Sequence, residues 1–168
     1  MSELEVWLRG RVVEGVPGLL QPVAHSLLQC GEEVRRSLAD MSGEQIWHSE
    51  NGAASIGFHV LHAIGSLDRL FTYARGELLS DTQRQALVQE SRPNSDVSAD
   101  DLRTAFDAAV ERALEQLRAT DPATLADVRG VGRSKLPSTV IGLLFHAAEH
   151  TQRHAGQIVT TKKITGVA

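Results

Sequence analysis

The sequence predicts an all-α protein, an antiparallel four-helix bundle formed by residues 1–168 as a single domain. Three observations carry this. Four long segments, each of about 20 residues, repeat their apolar residues at helical spacing. The composition is rich in Ala and Leu and only 4% aromatic, which favours helix over sheet. The connections between the four segments are mostly modest, as neighbouring antiparallel helices require.

The first helix is predicted from about Pro17 to Ala39. Leu20, Leu27, Val34 and Leu38 fall on one stripe, with Ala24 and Gly31 between them. Pro17 and Pro22 are tolerated because they lie near the start, where backbone N–H groups have no helical partner. The stretch "DMSGEQIWHSENG" then breaks the pattern. A second helix is predicted from about Ala53 to Arg75, with Ile56, Val60, Ile64, Leu67 and Phe71 as its buried stripe and Gly76 as a left-handed terminus. The linker after it holds a short helix from about Asp81 to Glu90, and Pro93 ends it. The third long helix runs from about Ser98 to Ala119. Ser98 precedes Asp101 by three residues, close to a capping box, and Leu102, Phe106, Ala109, Ala113 and Leu117 form the buried face. The glycines, proline and basic residues of "DPATLADVRGVGRSKLPS" predict an ordered loop, and no strand is expected anywhere. The fourth helix is predicted from about Ser138, as its cap, to Lys163.

Composition excludes several function classes. The net charge is −4 with acids and bases interspersed, so no basic stripe marks a nucleic-acid partner. Cys30 is the only cysteine, which rules out an intramolecular disulfide and fits a reducing compartment. The start "MSELEVWLRG" does not read as a signal peptide, and no run approaches the roughly 20 apolar residues of a membrane span. A cytoplasmic protein without membrane contact is the expectation.

The chemistry-bearing stretch is "HAAEHTQRHAGQI", with histidines at 146, 150 and 154. At about 100° per residue, His150 and His154 lie within about 40° of each other. They share their arc with Val140, Leu143, Ala147 and Ile158, so both imidazoles point with the apolar face. Burying them without partners costs on the order of 1–3 kcal/mol each. A shared metal ion would satisfy both, because residues i and i+4 are neighbours on one helix face. The remaining ligand would come from a facing helix, where "SIGFHVLHAIGSLDR" offers His59 and His62. Ser55, His59, Ser66, Arg69 and Tyr73 share a polar flank there, which fits either a cavity wall or a solvent face.

Three known patterns fit poorly. "HAAEH" matches an inverted zinc-protease motif with Glu149 as base, but the motif is short and the chain small for a peptidase cleft. "HTQRH" has Thr151 where a metalloprotease needs glutamate. A di-iron bundle needs a histidine three residues after Glu149, and the sequence has Gln152. His25 and His48 read as ordinary histidines, and His146 as a residue beside the site.

"SIGFHVLHAIGSLDRL" followed by "HAAEHTQRHAGQI" resembles the DinB/YfiT-like superfamily of metal-binding four-helix bundles, from about Trp7 to the end of the fourth helix. The more specific part is H-x-x-x-H-x-G-Q, here His150, His154, Gly156 and Gln157. The resemblance implies metal ligands at His62, His150 and His154; His59, three residues before His62 on nearly the same side, and His146, about 40° from His150, are secondary candidates by their place on the helices. It also implies a divalent ion, zinc or nickel, and a homodimer. Ile141, Leu144, Phe145 and Ala148, on the side of the fourth helix away from the histidines, offer either a dimer surface or a face for another helix of the same bundle.

Members of the group with a known reaction imply a metal-dependent thiol S-transferase or isomerase acting on a small-molecule substrate, with a low-molecular-weight thiol held as thiolate. Arg69 and Tyr73 are candidates to orient a polar group of that substrate. Cys30, on the core side of the first helix, is not expected to be a nucleophile. Two alternatives stand beside this reading: a non-catalytic metal-binding stress-response or interaction protein, and a metal-dependent hydrolase using Glu149 as base.

Overall fold

The computed structural model describes residues 4–94 and 96–165. The protein is mostly helical, with α1 Gln21–Leu38, α2 Gly43–Trp47, α3 Ile56–Ala74, α4 Asp81–Gln89, α5 Ala99–Ala119 and α6 Val140–Ile164. Between α5 and α6 lies an antiparallel hairpin, β1 Val128–Val131 and β2 Leu136–Thr139. The long helices α3 and α1 each pack against both α5 and α6. Their apolar stripes meet in one core that includes Leu27 and Val34 of α1, Val60 and Leu67 of α3, Leu102 and Phe106 of α5, and Leu144 and Ile158 of α6. Burying a side chain such as Phe106 contributes about 1.5–3 kcal/mol. Among the described residues, no helix is long and apolar enough to cross a membrane.

Helix ends follow from side-chain chemistry. Ser55 accepts a hydrogen bond from the Phe58 N–H at 3.2 Å and starts α3. That helix ends in a Schellman motif: the Gly76 N–H bonds the Tyr73 carbonyl at 2.9 Å and the Glu77 N–H bonds that of Thr72 at 3.2 Å. Gly76 takes the positive φ of 80° that the motif requires. Ser98 and Asp101 form the full capping box of α5.

The structure corrects the sequence reading at three places. The stretch after α1 is not wholly irregular. Ser42 and Gln45 make a capping box that nucleates α2, and its Ile46 is fully buried. The segment before α6 is not a plain loop but contains the hairpin, with Val128 opposite Thr139 and Val131 opposite Leu136. Its turn closes with the Lys135 N–H on the Gly132 carbonyl at 3.2 Å. Ser138 therefore belongs to β2, and Thr139 caps α6 by accepting from the Gly142 N–H at 3.1 Å.

The hairpin and the residues just before it are tied to two long helices. The Val140 and Ile141 N–H groups, at the start of α6, donate to the Asp127 and Leu125 carbonyls at 3.1 and 2.9 Å. Arg129 Nε donates to the Ala74 carbonyl at the end of α3, at 3.0 Å.

Candidate metal centre

The seam between α3 and α6 carries four histidines. The Ser55 cap sets His59 and His62 within the first two turns of α3, three residues apart. His150 and His154 lie midway along α6, four residues apart. Packing of the two helices brings His62, His150 and His154 together so that one nitrogen from each lies within 4.8 Å of the others. His62 Nε2 is 3.1 Å from His150 Nε2. The His154 ring sits 4.8 Å from that of His62 and 4.7 Å from that of His150, centroid to centroid. His154 is buried, whereas His62 and His150 are half-buried at the rim.

Two of the three rings, those of His154 and His62, are held from behind. His59 is buried, and its Nδ1 lies 3.0 Å from Nδ1 of His154, which leaves His154 Nε2 for the centre. Phe58 stacks on His62 at 5.4 Å with an interplanar angle of 14°. His62 Nδ1 donates to Glu90 Oε2 at 2.9 Å. Glu90, directly after α4, is itself buried and paired through its other oxygen with Arg69 of α3.

Burial favours the neutral form of His154, His150 and His59. Burial lowers the pKa of His154 to about 4, and positive charge on His150, His62 and His59 would lower it in the same direction. Burial also lowers His150, with His62 as the next cause, and lowers His59 for the same two reasons. Neutral imidazoles present lone pairs, which is the state a metal ligand needs. Three imidazole nitrogens converging from two helices fit a divalent cation. Zinc bonded at about 2.0–2.1 Å in tetrahedral array would set its nitrogens roughly 3.3 Å apart, close to the 3.1 Å between His62 and His150.

The other residues singled out from the sequence lie elsewhere or are otherwise engaged. His146 is exposed and its Nδ1 donates to Glu149 Oε1 at 2.8 Å. Glu149 also accepts from Arg153 at 2.9 Å, on the surface side of α6. His25 meets the Arg11 carbonyl and His48 meets Glu50, each at 3.0 Å. Arg69 is occupied by Glu90, and Tyr73 is half-buried against the core. Burial, aided by the Glu33 charge, pushes the Cys30 thiol up to about 12, and its Sγ donates to Gln152 Oε1 at 3.3 Å. Of the suggested dimer residues, Leu144 and Ala148 are buried within the chain, Ile141 is half-buried and Phe145 is 63% exposed.

Glu90 was not singled out from the sequence. It stands at the end of a short polar helix, and nothing local distinguishes it from Glu77 or Asp81. Only the docking of α4 on α3 brings its carboxylate to His62.

A family model described as the DinB superfamily matches residues 26–158. The fold is similar to that of a DinB-like protein from Bacillus cereus, with a TM-score of 0.63 and 14% identity over 83% of this chain and 91% of that one. It is also similar to a conserved protein from Enterococcus faecalis, with a TM-score of 0.67 and 17% identity over 86% of this chain and 95% of that one. No curated protein matches the sequence.

Proposed function

We propose, from the premise that this chain belongs to the DinB superfamily, that it is a divalent-metal protein of antiparallel four-helix-bundle architecture. His62, His150 and His154 would hold the ion, zinc or nickel by the chemistry of a three-imidazole donor set, and the site would serve a thiol S-transferase or isomerase reaction. The observation that carries the reading is the convergence of these three side chains within 4.8 Å.

Three protein ligands leave a coordination position open, as catalytic sites do and closed structural sites do not. His59 does not close it, because its ring faces the outer nitrogen of His154. When bound, the ion supplies a Lewis-acid centre that lowers the pKa of a coordinated thiol. The protein's own part is to present three imidazole nitrogens, exclude bulk water from the inner side of His154 and leave the His62 and His150 rim accessible. A cleft of about 530 Å³ lined by residues including Ala53, His59, Arg153 and Gln157 opens next to His59, behind the cluster. Arg153 and Gln157 offer donors to a polar or anionic substrate group there. Tyr73 lies about 16 Å along α3 from His62, which suits it only to the far end of an extended substrate.

Elemental analysis of protein purified without added metal, followed by zinc titration, tests the binding half. One equivalent is expected. Alanine at 62, 150 or 154 should weaken binding by more than the roughly 10–100-fold typical of outer-shell partners. Incubation of loaded protein with small thiols and electrophiles tests the catalytic half. Thiol consumption that survives removal of all three histidines would refute metal-dependent transfer, and none with loaded wild type would leave a metal-binding protein without this reaction.

A further inference from the structure

We infer that Glu90 is a positioning residue for the site: it fixes the tautomer and orientation of His62, and residue 65 is glycine so that the carboxylate can reach its place. The inference rests on the metal reading above and adds to it a residue from a different part of the chain. His62, Gly65 and Arg69 lie at i, i+3 and i+7 on α3 and form one stripe. The Glu90 carboxylate lies on that stripe, its side chain 6% exposed although 28 residues separate it from His62. One oxygen accepts from Arg69. The other accepts from His62 Nδ1 at 2.9 Å and lies 3.4 Å from Arg69 Nη2. A Cβ at position 65 would overlap Glu90 Oε1 and lie 2.6 Å from Arg69 Nη1. The bare backbone at Gly65 is thus the floor of a built carboxylate site.

The chemistry follows from the two nitrogens of an imidazole. A neutral ring carries its proton on one and a lone pair on the other. Donation of Nδ1–H to Glu90 places the lone pair on Nε2, the atom that faces His150 at 3.1 Å. A carboxylate behind a metal-binding histidine also raises the basicity of the ligand and holds its ring. Arg69 holds the Glu90 carboxylate in place, so its part is indirect. A bland ion pair between α3 and α4 would not require the carboxylate to bridge Arg69 and a histidine of the cluster.

The test combines zinc affinity, by competition with a chromophoric chelator, with the His62 tautomer in the metal-free protein, read from long-range imidazole ¹H–¹⁵N correlations. Wild type should show His62 protonated at Nδ1. Glu90→Ala should lose that preference and bind zinc about 10–100-fold more weakly, with Glu90→Gln between the two. Gly65→Ala should weaken zinc to a similar degree although alanine is the better helix former. Zinc affinity within twofold of wild type in folded Glu90→Ala or Glu90→Gln, or an Nε2-protonated His62 in wild type, overturns the inference. Should Glu90→Ala fail to fold, Glu90→Gln and Gly65→Ala decide it. If wild type takes up no metal, the metal reading fails separately, and the tautomer still decides the role of Glu90.

Discussion

Helices α5 and α6 are built alike at their starts and differently inside. Both begin at a hydroxyl cap, Ser98 and Thr139, and both pack against α1 and α3. Every buried residue of α5 is apolar, from Ala99 through Phe106 to Leu117. Helix α6 buries Thr151 and His154 among its apolar residues and brings His150 to the rim. Thr151 is satisfied locally, its hydroxyl donating to the Ala147 carbonyl at 2.8 Å. The histidines have no such local solution and depend on α3. The difference separates a helix whose interior serves the fold from one whose interior holds groups that stability alone does not call for.

The contrast can be broken most sharply at Phe106, which is 1% exposed. Phe106→Ala should destabilise the protein by about 3–5 kcal/mol, read as a lower urea midpoint, while the fraction still folded binds zinc with wild-type affinity. A loss of zinc affinity there would mean that α5 also shapes the site. An intermediate effect is expected from pH on the metal-free protein. The folded pKa of His154 is lowered to about 4 and those of His150 and His59 are also lowered, against about 6.5 in an unfolded chain. Below about 6.5 the unfolded state binds protons that the folded state refuses, so stability is full above that pH. It should decline as pH falls towards 4, seen as a falling Tm. The smallest effect should come from the double substitution His59→Leu with His154→Leu. Replacing both partners of a buried polar contact by apolar groups is nearly neutral, on the order of 1 kcal/mol or less. This variant should also flatten the acid decline and abolish zinc uptake. A destabilisation as large as that of Phe106→Ala would show that the imidazoles hold the fold after all.

How much of this could be read in advance depended on the range of the interaction. The long helices were legible because period, cap and terminator are local signals, as at Ser55, Ser98 and Gly76. The short α2 was signalled by Ser42 and Gln45 but masked by surrounding glycines and polar residues. The strands were not legible. Each has four residues, one with a glycine and the other with a proline, and they exist because they pair with each other. On α6, the helical wheel put His150 and His154 on one side, and the family resemblance selected His62 on α3. The structure places these three together. The wheel also placed Arg69 on the polar flank, but no helical projection could show that a carboxylate 21 residues later occupies it.

The hairpin has a geometric consequence for everything downstream. The backbone that leads into it, at Leu125 and Asp127, grips the first two N–H groups of α6, and its own final residue is the helix cap. The α6 screw therefore starts from an indexed position. Deleting one residue between Val140 and Ala147 would turn the downstream rings by about 100° and retract them by about 1.5 Å, while leaving the helix itself intact. This two-stranded clasp acts as the key that sets the rotational phase of a rod, and through that phase the aim of side chains more than two turns away.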